Sequence, residues 1–495
     1  MTRVLVRNRV ALWALCVACL HGVACTTTDD GKNKQRRVVP DEPWRQARPP
    51  AGPVPDLKLP TTQRAELKNG LDLLVVEDHT LPVVTARLVV RVGAAQDASK
   101  DPGLAALAWE LLDEGAGALN QLALANAVAQ LGAALTTECS LESGAAQIEI
   151  ASAKTEAGLK LLASVVTRPA FATADVERAR DQALARLAER QADAGAVAEA
   201  LALALIYGSE HAYGHDRAGT VEALGKVSSL KLKTFWSTYA APHNAALILS
   251  GDITLEQAKA LANKTFGAWT GGGRAPKAPP EPSTRTAITI ASVDFPGATQ
   301  TVVRIGRAGL ASSDADLPAL MVLTNVLGGL RSSRLAGKLR EEKQWASSLQ
   351  LAQLEALGRG PWLLRADVDT AAVGDVVAEV LAQVDAIKSG ITDEELARAK
   401  DGWVHSLPGQ RGGAGDWTRS LGAAYAQGFD RARRAQVAAA GRAVTADDVK
   451  RVAGQVLVKD DLVVVVAGDR ATITTSLKAK GLPDALQFGR DGYPE

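Results

Sequence analysis

Two imidazoles four residues apart, His211 and His215, have the spacing of a helical metal-ligand pair. Their surroundings argue against a helix. Gly208 and Ser209 precede them, Gly214 lies between them and Gly219 follows, so the segment reads as a structural turn. No Glu stands where a metal-bound water would need a base. His79, His243 and His405 are isolated, and a hydrogen-bonded structural role is expected for each. Cys139 follows Thr136 and Thr137 in a strand-like stretch and reads as a buried, inert thiol. No Ser-His-Asp or Cys-His grouping has a defensible spacing. Arg411-Gly412-Gly413-Ala414-Gly415 lacks the Lys-Ser/Thr and the leading strand of a phosphate loop, and reads as a mobile loop.

A different chemistry is written at the N-terminus. Arg3, Arg7 and Arg9 precede an apolar stretch from Val10 to Ala24, too short to span a bilayer comfortably. It ends Gly22-Val23-Ala24-Cys25, which resembles a lipoprotein cleavage box with Cys25 as the lipidated residue. A plain signal peptide and an uncleaved anchor remain as alternatives, and each places the protein outside the cytoplasm. Residues 1–24 are thus expected to be a signal peptide and 25–60 a Pro-rich tether. Removing the leader discards Cys16 and Cys19; a lipidated Cys25 then leaves Cys139 without a disulfide partner. The expected location is the periplasmic side of a bacterial cell envelope. A formal net charge of +1 with 47% hydrophobic residues gives no electrostatic reason for a nucleic-acid partner.

The elements that must position any site occur twice. Leu88-Val-Val-Arg-Val-Gly93 is echoed by Thr301-Val-Val-Arg-Ile-Gly306, residues 174–181 by 394–401, and Ser250-Gly-Asp252 by Ala467-Gly-Asp469. The spacings are 213, 220 and 217 residues, too long for a solenoid and right for a duplicated domain. Strand-like runs alternate with helical periodicity in the same order in both halves. The expected fold is α+β: two α/β sandwich domains, each a mixed, mostly antiparallel sheet with helices packed on it. The expected boundaries are 61–270 and 287–480, with a linker at 271–286 and a tail at 481–495.

Several ordered stretches then converge: Leu67-Lys-Asn-Gly-Leu71, Pro82-Val-Val84, Pro102-Gly-Leu-Ala105, Pro242-His-Asn244, Leu327-Gly-Gly329, Ser333-Arg-Leu335 and Leu339-Arg-Glu-Glu-Lys343. Together they resemble the pitrilysin/insulinase-like metallopeptidases over roughly residues 61–480. Active members carry His-x-x-Glu-His, which binds zinc and supplies the general base, and a distal Glu completes the metal site. The resemblance puts Ala106 at the first His, Trp109 at the base, Glu110 at the second His and Arg186 at the distal Glu. Ala cannot ligate, Trp cannot act as a base, and Arg is a permanent cation. The implied outcome is an absent zinc site, no cofactor, and no peptidase activity from this chain alone. Glu110 and Arg186 are expected to form an ion pair in the emptied site, with separate solvation of the two as the alternative. Active relatives also use an Arg and a Tyr from the second half near the substrate. Arg340 is kept here and Ser347 replaces the Tyr. Arg340 is therefore a candidate substrate contact, with a surface ion pair to Glu341 or a neighbour as the alternative. Three functions are compatible with the resemblance. The first is the non-catalytic subunit beside a metal-bearing sibling peptidase, holding peptide or polypeptide segments. The second is a stand-alone envelope peptide-binding or assembly protein. The third is an enzyme with a relocated site.

Overall fold

The computed structural model describes residues 60–271, 273–409, 413–429 and 433–495. The leader, Cys25, nearly all of the tether, Arg411 and Gly412 lie outside the described residues, as does the His405 side chain. Two six-stranded sheets organise the rest. The first contains β1 (Thr62–Glu66), β2 (Asp72–Glu77), β3 (Val83–Val90), β4 (Ala134–Cys139), β5 (Gly144–Ala151) and β6 (Ala245–Gly251), in the order β1-β2-β6-β3-β5-β4. The second contains β7 (Thr289–Asp294), β8 (Gln300–Ala308), β9 (Ala346–Gln353), β10 (Pro361–Asp369), β11 (Val463–Gly468) and β12 (Leu486–Phe488), in the order β9-β10-β8-β11-β7-β12. In the first sheet only β2 and β6 run parallel; in the second, β7 is parallel to both β11 and β12. This is the expected mixed, mostly antiparallel sheet, present twice. Five strands correspond one to one, and the outermost strand differs. β1 comes from the chain's opening hairpin, whose Asn69-Gly70 turn places Gly70 at φ 85°. β12 comes from the segment expected to be a tail; Arg470 bonds both Gln487 and Glu495 there, and the strand edge of β7 captures it.

Register corrects one internal match. Arg87 lies opposite Gln147 and Ile248, and Arg304 lies opposite Arg365 and Val465. Arg304 therefore corresponds to Arg87, not to Arg91 as the Arg-Val/Ile-Gly wording suggests. A four-residue slip keeps every side chain on the same face of a strand, so alternation alone cannot detect it.

Each sheet buries its inner face under its own helices, which gives two separate cores. Four helices build the site or join the halves, α1 (Leu104–Glu110), α2 (Thr173–Arg190), α3 (Ala194–Tyr207) and α5 (Ala414–Ala426), while α4 (Asp393–Gly409) packs within the second half. α5 begins inside the segment expected to be a mobile loop, so Ala414 and Gly415 are helical. The outer faces of the sheets are covered by exchange. α3, from the first half, lays Val197, Leu201 and Ile206 on Val293, Val463 and Val465 of the second sheet. α5, from the second half, lays Leu421 and Tyr425 on Val76, Val89 and Ile248 of the first. Glu199 of α3 is gripped by Arg304 Nε at 3.0 Å and Arg365 Nε at 3.0 Å. The connecting residues are pinned rather than free: His243 Nε2 donates to the Gly273 carbonyl at 2.8 Å, and Asn244 donates to the Arg274 carbonyl at 2.8 Å. Residues Val54–Glu495 consequently form one compact unit. Among the described residues no helix is long and apolar enough to cross a membrane.

Glu199→Ala leaves two arginines on the second sheet without their shared carboxylate. The expected loss is about 2 kcal/mol, below the value for a fully buried pair because Arg365 is partly solvated. It is read as a lowered urea midpoint at unchanged m-value; an unchanged midpoint would contradict the grip.

Candidate functional site

The site is built on α1. Gly103, at φ 91°, turns the chain into the helix, and a Cβ there would lie 2.7 Å from Gly219 Cα. Asp97 anchors the first turn: its carboxylate accepts from Gly103 N at 2.9 Å and Ala105 N at 2.8 Å. Burial pushes the Asp97 carboxyl up to about 7, against the pull of those two N–H groups. Leu104, Ala105, Leu107, Ala108 and Trp109 are buried. Ala106 and Glu110, one helical turn apart, face a cleft of about 310 Å³ also lined by Trp109, Asp113, Glu114, Thr137, Glu138 and Cys139.

Arg186 arrives from α2, and its Nη2 donates to both oxygens of Glu110, at 2.9 and 2.7 Å. The two side chains are roughly half exposed, so the pair is a partly solvated contact of modest strength. Arg178 makes a parallel bond to Glu114 at 2.7 Å.

Trp109 does not occupy the cleft as a plug. Its ring is fully buried, its Nε1 donates to the Val92 carbonyl at 2.8 Å, and it meets Trp236 edge-on at 5.0 Å. Gly144 makes room for it: a Cβ there would lie 2.0 Å from Trp109 Cε2. Register shows what this volume is. Gly144 pairs with Val90 in the first sheet, and Trp362 pairs with Arg307 at the equivalent place in the second. Trp362 is also fully buried, and its Nε1 donates to Thr324 Oγ1 at 3.0 Å. Each half thus fills the space between its sheet and its first helix with an indole. The first half supplies it from the helix and the second from the sheet.

The residues at the four family positions do not fit a zinc ion. Ala106 has no donor atom, the Glu110 oxygens are engaged by a guanidinium, and Arg186 brings positive charge to the third position. Among the described residues no cluster of three His, Cys, Asp or Glu side chains is placed to hold a metal. His211 does not join His215 in one either. Its Nε2 donates to the Pro280 carbonyl at 3.0 Å, and its Nδ1 accepts from Tyr213 N at 3.0 Å. The His215 ring nitrogens are buried without a hydrogen-bond partner, and burial lowers its pKa. Cys139 donates weakly to the Ser140 carbonyl, and burial pushes its thiol up to about 12, which makes it a poor nucleophile. His79 bonds Asp252 at 2.8 Å, which raises its pKa.

In the second half, Arg340 lies in a π-helical turn, Gly337–Glu342, and is half-buried. It makes no ion pair among the described residues; Glu342 is held by Lys338 and Lys343 instead. Ser347 is exposed beside the β9 bulge, and its hydroxyl donates to the Asp367 carbonyl at 3.2 Å. Neither residue lines the cleft. Sequence reasoning missed Asp97, Gly144 and Glu142. Glu142 is a buried carboxylate that accepts from Tyr213 Oη and from Leu357 N at 2.8 Å, and so joins the loop after β4 to the second half. Only Asp97 had a local signal, an acidic residue shortly before a Gly-initiated helix.

Gly144→Ala should destabilise the fold by about 1–3 kcal/mol through overpacking. In a Trp109→Ala background the same change should cost much less, and additive costs in a double-mutant cycle would refute the packing relation. Asp97 has a folded pKa near 7, against about 3.9 when unfolded, so the folded state binds more protons between those values. Its contribution to stability falls as pH rises from about 4 to about 7 and is level above. In Asp97→Asn that part of the stability–pH profile should vanish, as measured by thermal unfolding across the range.

Comparison with known proteins places these features. Residues 73–213 match the model described as Insulinase (Peptidase family M16), and residues 226–402 match that described as Peptidase M16 inactive domain. An uncharacterized zinc protease of Mycobacterium leprae is 29% identical, over 68% of this chain and 76% of its own. A non-peptidase homolog of Helicobacter pylori, YmxG, is 24% identical, over 67% of this chain and 76% of its own. The crystal structure of a peptidase M16 inactive domain from Pseudomonas fluorescens superposes with a TM-score of 0.76 at 25% identity, covering 82% of this chain and 98% of that one.

Proposed function

The chain belongs to the insulinase (M16) peptidase family, and from that premise we propose that it is the exported, lipid-anchored, non-catalytic subunit of a heteromeric metallopeptidase. It is an inactive homologue of the family's peptidases. The observation that carries the proposal is the Glu110–Arg186 pair. Two former ligand positions neutralise each other while the architecture that shapes such a cleft, both sheets and both exchanged helices, is kept. A chain under no demand to form that cleft would have no reason to keep it. Zinc is absent from its function in this reading, because nothing at the family positions can retain the ion. Arg340, half-buried and without a charged partner among the described residues, is the group left to meet a peptide carbonyl or a sibling chain. The lipid on Cys25 holds the folded body at a membrane on the periplasmic side, and the metal-bearing sibling supplies the hydrolysis.

The test is a pull-down of the tagged lipoprotein from its own membranes, followed by mass spectrometry and a peptidase assay. A His-x-x-Glu-His homologue should co-elute, with chelator-sensitive cleavage that the purified chain lacks. An eluate with neither homologue nor cleavage would leave the other reading, a stand-alone envelope peptide-binding or assembly protein. Chelator-sensitive cleavage by the purified chain alone would sink both.

A further inference from the structure

The two exchanged helices are counterparts, yet their seats are chemically unequal. α2 and α4 begin at Thr173 and Asp393, and α3 and α5 at Ala194 and Ala414, so one spacing of 220 residues relates both pairs. At that spacing Glu199 of α3 corresponds to Arg419 of α5. Sheet register makes Arg304 the counterpart of Arg87, and Arg365 that of Gln147. On the second sheet a carboxylate therefore sits between two arginines. On the first sheet the visiting helix carries an arginine at the equivalent position, Arg419, and offers no carboxylate there.

The consequences are visible around Arg87. It is 6% exposed, and its Nε is buried without a hydrogen-bond partner. Its Nη1 donates to Gln147 at 3.1 Å, and its Nη2 reaches Glu138, the edge-strand carboxylate that lines the cleft. Burial lowers its pKa, Glu138 opposes this, and the charge on Arg419 adds repulsion. Arg419 itself turns to Asp416, at 2.8 Å. α5 is held by Leu421 and Tyr425 in their apolar seat, by Arg91, which lies 4.2 Å over the Tyr425 ring and donates to the Tyr425 carbonyl at 3.1 and 2.9 Å, and by a long 3.4 Å bond from Thr418 to Gln147. Gly422 permits the approach, since a Cβ there would lie 2.7 Å from Val89 Cγ2.

We propose that α5 is a releasable strap: it lifts from the first sheet while α3 stays fixed on the second, and lifting exposes Arg87 and loosens edge strand β4 at the rim of the cleft. A buried guanidinium with an unmet donor gains water when the strap leaves, which favours the open state. Its counterpart Arg304 would lose a carboxylate by the same motion. The second half can thereby change the shape of a cleft that lies in the first, with no hinge between the two cores. This proposal stands on the fold alone and does not depend on the subunit reading.

Hydrogen exchange with mass spectrometry on the full chain tests it. In the wild type, α5 amides should exchange at least about tenfold faster than α3 amides, as expected for an element that opens on its own. Arg419→Glu installs the missing carboxylate and should slow α5 exchange about tenfold, with β4 amides slowing in parallel. Arg419→Gln, which only removes the repulsion, should fall between. Equal exchange of α3 and α5 in the wild type would overturn the proposal. So would unchanged α5 exchange in a folded Arg419→Glu protein. Should that variant fail to fold, the wild-type comparison and Arg419→Gln decide the matter.

Discussion

A β-sheet has two faces, and each sheet here has helices of its own for only one of them. The outer faces, rich in Val, Leu, Ile and Ala, must be covered, and each is covered by a helix from the other half. This exchange is the constraint on which the rest depends. It makes residues 54–495 one compact unit rather than two domains on a tether, and it accounts for connecting residues that are bonded along the surface rather than free. It also places charged side chains where none would be expected. Arg304 and Arg87 stand on faces that would otherwise be apolar; Arg304 takes a carboxylate from the visiting helix, whereas Arg87 is bonded by Gln147 and Glu138 of its own sheet.

Given this interlock, the residues at the positions that the resemblance assigns to a metal site read as a coordinated packing arrangement. A general base must face water and substrate, whereas Trp109 points inward and meets the core through Val92, Trp236 and the space over Gly144. The second half solves the same packing problem with Trp362. In this respect the two halves are alike. An acid at position 109 would put a carboxylate into a dry pocket shaped for an indole. Nearer the surface the cost is smaller, and a solvated ion pair between Glu110 and Arg186 suffices.

The cleft sits on a scaffold whose two halves are interlocked through the exchanged helices. The loop and strand at the cleft rim are tied once to the second half and once within the first sheet. Glu142 bonds backbone near the β9–β10 turn, and Glu138 reaches Arg87 beneath α5. Glu142 thus couples the loop beside the cleft to the second half, and Glu138 couples the cleft edge to the face that α5 covers.

Much of this was legible in the amino-acid order, for physical reasons. Strand alternation and helical periodicity are local, so the mixed sheets and their duplication could be read directly. Ala106, Trp109, Glu110 and Arg186 were assigned to the metal-site positions by the family resemblance alone, through the order and spacing of its motifs. The meeting of Glu110 with Arg186 was one of two expectations, raised because the resemblance puts both charges on ligand positions, and the pair forms. The rest depended on contacts between residues far apart in the chain. The internal register was misjudged by four residues, because an even slip leaves the face pattern of a strand intact. The strand formed by Leu486–Phe488 looked like a tail, because only the open edge of β7 makes it a strand. The exchange of α3 and α5 was invisible, because an apolar helix face does not say which sheet it covers. The packing of Trp109 over Gly144 was equally so: a glycine's reason for being small is whatever the folded chain brings against it, and here that is an indole from the helix across the core.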